Sequence, residues 1–382
     1  MPERALLAGF EDSTTLDEAG GTFDELEQLA DTAGALVVAR VIQRKTTPTP
    51  DYFIGRGKVR ELGELAAGSQ AGLVIFNNDL SPLQFRNLER ALGVKVIDRT
   101  QLILDIFAMR AHSREGKIQV ELAQLEYLLP RIVGRGIELS RLGGGIGTRG
   151  PGETKLEVDR RRIRSRISSL KDKLKKVECA RKTQKKRREK SGIPIIAIVG
   201  YTNAGKTSLF NALTREHAFA EDKLFATLDP LSRRIFLPLT GAAMVVDTVG
   251  FIRSLPIKLV EAFKSTLEEV NYAHLLVHVV DVSHAECRAQ ISEVNKIIAM
   301  LGATRTPVIT AINKTDRLRG GPIPEWLREE NETAVEISAL YGKNINKLKS
   351  VIDEKLASQK TFSGKIVGND IGDKVSIAGG SI

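Results

Sequence analysis

Cysteine is almost missing from this chain: Cys179 and Cys287 are the only two, far apart and without histidine neighbours. That excludes a disulfide framework and a structural zinc site, and it fits a reducing cytosol. No apolar run approaches the length of a membrane span. The best, in IPIIAIVG and LLVHVV, are strand-sized. The opening residues, MPERALLAGFEDSTT, lack the basic start and sustained apolar run of a secretory signal. A cytoplasmic protein without a membrane span is expected. With 382 residues and an apolar fraction of 42%, the chain can fill two or three globular cores.

Charge is present in excess, but in one place. The net charge is +10, and residues 153–190 hold 17 Lys/Arg against 6 Asp/Glu, a net of +11. The remainder is therefore at −1, so the basicity is a local device suited to a polyanion rather than a property of the whole surface.

Residues 1–113 read as an N-terminal α/β module. ALLAGF, ALVVARVI, GLVIF and VKVID have the composition of short buried strands, and FDELEQLA, SPLQFRNLERAL and RTQLILDIFAMRA that of the helices between them. KTTPTPDYFIGRGK reads as a loop whose GRGK is a turn, with a helix-start anion site as the alternative. Residues 114–192 read as an arm. Ile118, Leu122, Leu125 and Leu129 form one apolar seam, and Ile163, Ile167, Leu170, Leu174 and Val177 form another. An antiparallel helical hairpin with the glycine-rich loop 134–152 at its tip would bury both seams. ARKTQKKRREK beyond it is a solvated helix or a linker. Residues 193–357 alternate strands and helices as a doubly wound, mainly parallel sheet, and residues 358–382 form a short tail, a small hairpin or disordered.

GYTNAGKT, made of Gly200, Tyr201, Thr202, Asn203, Ala204, Gly205, Lys206 and Thr207, fits the phosphate-loop pattern between a strand and a helix. Its backbone amides and the helix N-terminus suit phosphate oxygens; Lys206 would reach the β- and γ-phosphates, and Thr207 would ligate Mg²⁺. DTVG follows a strand: Asp247 would hold Mg²⁺ through a water, and the amide of Gly250, after Thr248 and Val249, would meet the γ-phosphate. In NKTD, Asn313, Lys314, Thr315 and Asp316 follow another strand, with the Asp316 carboxylate placed for the N1 proton and exocyclic amine of guanine. Ser338, Ala339 and Leu340 follow the last strand, where amides can meet guanine O6. These elements in this order imply a GTPase domain.

In FATLD (Phe225, Ala226, Thr227, Leu228, Asp229), Thr227 is the candidate for a mobile threonine that caps Mg²⁺ and the γ-phosphate; the alternative is an ordinary loop hydroxyl. Lys206, Thr227 and Gly250 are thus the candidate catalytic positions. Many small GTPases place a water-orienting glutamine directly after this glycine, but here the residue is Phe251. Hydrolysis by the protein alone is expected to be slow, unless Phe251 is a core residue and another group positions the water.

GGGIGTRGPGETKLEVDRRRIRSRI, GYTNAGKT, FATLDP and DTVGFI together make the chain resemble the HflX family of GTPases over nearly its whole length. Lys155 stands where many relatives would carry glutamine, and the tail is shorter than in long members. The resemblance implies binding to the large ribosomal subunit, separation of ribosomes into subunits, and hydrolysis stimulated by the ribosome. It further implies that the N-terminal module and arm lie against ribosomal RNA, with the glycine loop near the peptidyl-transferase centre. The residues agree. The eight glycines between Gly134 and Gly152 allow close backbone approach to RNA. Arg135, Arg141 and Arg149 in the loop, and Arg160, Arg161 and Arg162 behind it, are the candidate RNA contacts. Partners expected are GTP or GDP and the large subunit, for a chain read as a monomer. A large-subunit assembly GTPase without splitting and a nucleotide-regulated RNA-binding scaffold stay open as alternatives.

Overall fold

A computed structural model describes residues 2–12, 19–45, 47–132, 155–216, 223–253, 269–318, 321–331 and 333–369. Outside the described residues lie the glycine loop with Arg135, Arg141 and Arg149, and the end of the tail. The chain divides into two compact units: residues 1–185, 221–229 and 253–265 make the first, and residues 186–220, 230–252 and 266–382 the second.

In the first unit, β1 (Glu3–Asp12), β2 (Ala35–Lys45), β3 (Leu73–Phe76) and β4 (Lys95–Asp98) form a parallel sheet in the order β2-β1-β3-β4. Parallel pairing requires crossovers, and these are α1 (Ala19–Thr32), α2 (Arg56–Ser69) and α3 (Pro82–Leu92). Leu6, Ala8, Val74, Phe76 and Val96 of the strands pack with Leu62 and Leu88 of the helices. GRGK departs from the sequence expectation of a turn: Gly55 is an N-cap and Arg56 opens α2. The helix is legible in hindsight from Val59, Leu62 and Ala66, which are its buried residues. α3 begins with a capping box, in which Ser81 and Gln84 each accept the other's backbone N–H, and with Pro82 in its first turn.

β4 ends at Asp98, which is wholly buried. Its carboxylate caps α4 (Arg99–Arg110) through the Gln101 N–H at 2.9 Å, accepts from the Leu80 N–H at 3.2 Å, from the Tyr127 hydroxyl, and from Arg131 at 2.6 Å. The last two donors lie on α5 (Arg114–Ile132), so one carboxylate fastens the arm helix to the sheet. The Arg131 guanidinium also lies 3.5 Å from the Tyr127 ring centroid and 5.2 Å from that of Phe85. Desolvation pushes the Asp98 carboxyl pKa up, and the Arg131 charge opposes that shift.

α6 (Lys155–Ser191) packs on α5 along the two seams: Ile118, Leu122 and Leu125 meet Ile167, Leu170 and Leu174. Arg166 forks onto Glu121 at 2.7 and 2.9 Å, and Lys171 pairs with Glu126 at 2.8 Å. ARKTQKKRREK belongs to this same helix.

The second unit carries a six-stranded sheet in the order β10-β9-β8-β5-β7-β6. Its strands are β5 (Ile195–Gly200), β6 (Leu231–Leu237), β7 (Gly241–Asp247), β8 (Leu275–Asp281), β9 (Val308–Asn313) and β10 (Ala334–Glu336). All pairs are parallel except β6 with β7. The helices are α7 (Lys206–Thr214), α8 (Cys287–Met300), α9 (Glu325–Glu329) and α10 (Ile345–Asn369). α10 runs past Ala357, so a helix stands where a small hairpin was one expectation for the first part of the tail.

Removing one partner of a buried pair leaves the other charge uncompensated, at a cost of about 3–5 kcal/mol. Arg131→Ala is therefore expected to lower the unfolding free energy of the first unit by about that amount in urea titrations. A loss below about 1 kcal/mol would show that the Asp98–Arg131 pair does not anchor the arm.

Candidate nucleotide site

The motifs of the second unit leave their strands at the carboxyl ends. β5 lies between β7 and β8, so the strand order reverses there, the position at which open parallel sheets form a binding crevice. GYTNAGKT turns from β5 into α7. Its Gly205 has φ 96°, and a Cβ there would lie 2.3 Å from Asn313 Nδ2, so only glycine fits. Lys206 and Thr207 open α7, and both are buried. The Thr207 hydroxyl donates to Asp247 Oδ2 at 2.8 Å, joining the loop after β5 to the end of β7. Thr248 donates to the Ile198 carbonyl at 2.7 Å, and Val249 and Gly250 are buried beside it.

Phe251 is 1% exposed. Its N–H donates to the Gly200 carbonyl at 3.1 Å, and its own carbonyl accepts the Thr202 N–H at 2.7 Å. Its ring is thus a core element, and its backbone is a rung that holds the phosphate loop to the segment after β7.

The Lys206 amine donates to the Tyr201 carbonyl at 2.7 Å. Burial lowers its pKa to about 8; Asp247 pulls it up and Lys314 adds to the depression. Asn313, at the end of β9, donates from Nδ2 to the Ala204 carbonyl at 2.8 Å and accepts the Ala339 N–H at 2.9 Å. Lys314 pairs with Asp281 at 2.6 Å, both nearly buried, and Asp281 is held by the Ser283 hydroxyl at 2.6 Å. Thr315 donates to the Ile337 carbonyl at 2.9 Å. Asp316 is exposed in the single 3-10 turn Thr315–Leu318. Ser338 and Ala339 are buried, whereas Leu340 is 72% exposed. The structure therefore brings together the residues of the phosphate loop, DTVG, NKTD and the Ser338 turn at one end of one sheet.

The Phe225 to Asp229 segment belongs instead to the first unit. The Phe225 ring meets Phe107 of α4 edge-on at 4.7 Å. Asp229 accepts from the N–H groups of His112 and Ser113 at 2.9 and 2.7 Å and from the Ser113 hydroxyl at 2.5 Å, just before α5. Ala226 and Thr227 are half-buried between these anchors, and Leu228 is buried. On α6, Arg160 is half-buried, and Arg161 and Arg162 are exposed, Arg162 lying 3.7 Å from Asp159.

Sequence reasoning missed Asp281 as the partner of Lys314. Its signal was available, since LLVHVVD ends in an aspartate just as AAMVVD does. It also missed His278, 3% exposed in the middle of β8. Among the described residues no helix is long and apolar enough to cross a membrane.

This sheet order, with a phosphate loop after its central strand and the other motifs at neighbouring strand ends, is that of a P-loop GTPase. Residues 195–314 match the family described as "50S ribosome-binding GTPase", residues 21–108 "GTP-binding GTPase N-terminal" and residues 110–188 "GTP-binding GTPase Middle Region". GTPase HflX of Caldanaerobacter subterraneus subsp. tengcongensis is 52% identical over 354 residues, covering 93% of this chain and 81% of that protein. GTPase HflX of Escherichia coli is 43% identical over 346 residues, 90% of this chain and 81% of that one. The crystal structure of the SsGBP and GDP complex shares 29% identity over 94% of this chain and 99% of its own, with a TM-score of 0.50. The chain belongs to the HflX family of GTPases.

His278 has its pKa pushed from 6.5 down to about 4, first by burial and then by the Lys206 charge. The unfolded chain therefore binds this proton at a higher pH than the folded one, and stability falls as pH drops from 6.5 towards 4, by up to about 3 kcal/mol. His278→Leu is expected to lose less stability than the wild type between pH 7 and pH 4.5 in denaturant titrations. Identical losses would show that His278 does not carry this dependence.

Proposed function

We propose that the strand-end cluster of the second unit holds GTP with Mg²⁺, and that the chain is a factor of the large ribosomal subunit that separates ribosomes into subunits. Its hydrolysis is slow in isolation and is stimulated by the ribosome. The hydrolytic part is supported by the residue type directly after Gly250: Phe251 brings no donor or acceptor there, its core position (1% exposed) removes it from water positioning, and in this reading the group that readies the water is the ribosome's. A ring in that position can neither donate to nor accept from an attacking water, so readying the water falls to a group outside this ring.

In this reading the amides of residues 200–207 cradle the phosphates, and Lys206 leaves the Tyr201 carbonyl for the β- and γ-phosphates. The amide of Gly250 meets the γ-phosphate. Asn313 keeps the phosphate loop and the Ser338 turn in register while Asp316 reads the guanine edge, Lys314 lies against the base, and Ala339 and Leu340 border O6. The metal site fits Mg²⁺ on donor chemistry. A threonine hydroxyl sits 2.8 Å from a buried carboxylate at a helix start. Among the described residues no group of three or more His, Cys, Asp or Glu could hold a metal alone. Such a partial set suits a cation that keeps waters and takes the rest of its shell from phosphate oxygens. Thr207 would ligate it, Thr227 would join when GTP is bound, and Asp247 would act through a water. Bound Mg²⁺ supplies neutralisation of phosphate charge.

The ribosomal part is supported by the "50S ribosome-binding GTPase" description of residues 195–314 and by the +11 net charge of residues 153–190. Arg160, Arg161 and Arg162 with Arg135, Arg141 and Arg149 would meet ribosomal RNA, giving an affinity that falls steeply with salt. Steady-state turnover with purified large subunits is expected to exceed that of the protein alone by about 10³–10⁵-fold. Fast turnover without subunits, or no stimulation with them, would overturn the proposal. Sucrose gradients of intact ribosomes with the protein and GTP separate splitting from assembly; ribosomes that stay whole would favour the assembly role. Arg141→Ala with Arg149→Ala should weaken subunit binding and spare GTP affinity.

The Lys206 amine adds a pH signature. Below about 8 it is already charged, whereas above about 8 it must take up a proton as phosphates approach. Nucleotide affinity should therefore decline as pH rises through about 8. Calorimetry in buffers of different ionisation enthalpy should show proton uptake on the alkaline side of that value and little at neutral pH. Equal buffer-independence on both sides would remove Lys206 from the phosphate site.

A further inference from the structure

Thr202 is the third residue of GYTNAGKT and is only 5% exposed, yet among the described residues its hydroxyl has no hydrogen-bond partner. Burying a hydroxyl unpaired is unfavourable, and valine would fill the same volume without that penalty. The position therefore points to a task that needs the oxygen. Its surroundings say which. The Thr202 N–H is fixed to the Phe251 carbonyl at 2.7 Å, so the residue is held beside the segment after β7. A Cβ built on Gly250 would lie 2.8 Å from Thr202 Cα, from Thr202 Cγ2 and from Lys206 Nζ. The backbone and methyl group of Thr202, the loop lysine and the Gly250 backbone thus lie together on one side of the threonine, and the neighbouring Phe251 side chain brings no polar atom there.

We infer that the Thr202 hydroxyl donates a hydrogen bond to a γ-phosphoryl oxygen of GTP, and so lets this pocket tell GTP from GDP. The inference rests on the proposal that residues 200–207 hold the phosphates. It adds a side-chain contact to a loop that otherwise acts through backbone amides and Lys206. A donor aimed at a charged oxygen is among the stronger protein hydrogen bonds, so its removal should be readable in affinity. Because GDP has no γ-phosphate, the loss should fall on one nucleotide only.

The experiment measures GDP and a non-hydrolysable GTP analogue binding to the full-length chain, wild type and variants, by calorimetry or fluorescence. Thr202→Val keeps the shape and removes the oxygen. It should weaken the analogue about 10-fold while GDP stays within about 2-fold. Thr202→Ser, which keeps the hydroxyl, should retain the wild-type preference. An unchanged preference in Thr202→Val overturns the inference. So does an equal loss for both nucleotides, which a packing role would give, or a lost preference in Thr202→Ser, which would assign the effect to the methyl group. Lys206→Ala serves as the separate arm. If it binds both nucleotides as the wild type does, the phosphate-loop reading itself fails. If it is weakened while Thr202→Val keeps its preference, only the threonine contact is lost.

Discussion

A single carboxamide sets the geometry of the second unit's strand ends. Asn313 is 2% exposed and uses both ends of its side chain, one on the Ala204 carbonyl of the phosphate loop and one on the Ala339 N–H of the last turn. Each bond contributes modestly, but losing either would leave a buried polar group unsatisfied, which costs more than the bond itself yields. The same amide explains a constraint elsewhere in the chain. Its Nδ2 occupies the space that a Cβ at Gly205 would need, 2.3 Å away. The glycine of the phosphate loop is required by an asparagine more than a hundred residues later, as well as by its own backbone angle.

A shared device recurs across both units: an aspartate at the carboxyl end of a parallel strand, buried and answered by donors from the next segments. Asp98 ends β4 and takes the Gln101 and Leu80 amides with Tyr127 and Arg131. Asp247 ends β7 and takes Thr207. Asp281 ends β8 and takes Lys314 and Ser283. In the first unit two of these donors, Tyr127 and Arg131, fasten the arm helix α5 to the sheet, and the Gln101 amide opens α4. In the second unit the partners include Thr207 of the phosphate loop and Lys314 of NKTD. Parallel strands gather their carboxyl ends on one side, where helix N-termini favour negative charge, so the same chemistry serves anchoring in one place and ligand handling in another.

Most of the architecture was legible because parallel strands buried on both faces read as unbroken apolar runs. IIAIVG and LLVHVVD are almost entirely buried, and the runs of the first sheet behave likewise. The seams of the arm were legible for the same reason, since Leu122 and Leu170 sit on a heptad-like spacing. α2 was hidden because Gly57, Gly63 and Gly68 lower its propensity, and its burial rests on three apolar positions. The nucleotide loops were legible as motifs, but their mutual contacts were not. The aspartate that ends LLVHVVD was a visible candidate, but its pairing with Lys314 was not, nor was the backbone bond between Phe251 and Thr202. Those pairings exist only once β5, β7, β8 and β9 lie side by side.

The segment around Thr227 shows where sequence order and spatial grouping part. Residues 223–229 follow α7 in the chain, yet they belong to the first unit. Phe225 is held with φ 54°, a left-handed backbone that an aromatic residue adopts at a cost, and the burial of its ring against Phe107 offsets that cost. Four residues on, Asp229 satisfies amides at the root of α5. Thr227 is thus suspended between an aromatic anchor and a helix cap. Any ligand that draws on Thr227 acts on a chain only two residues from each anchor. Its binding free energy is therefore linked to the contacts of α4 and the start of α5 by covalent continuity, with no longer pathway required.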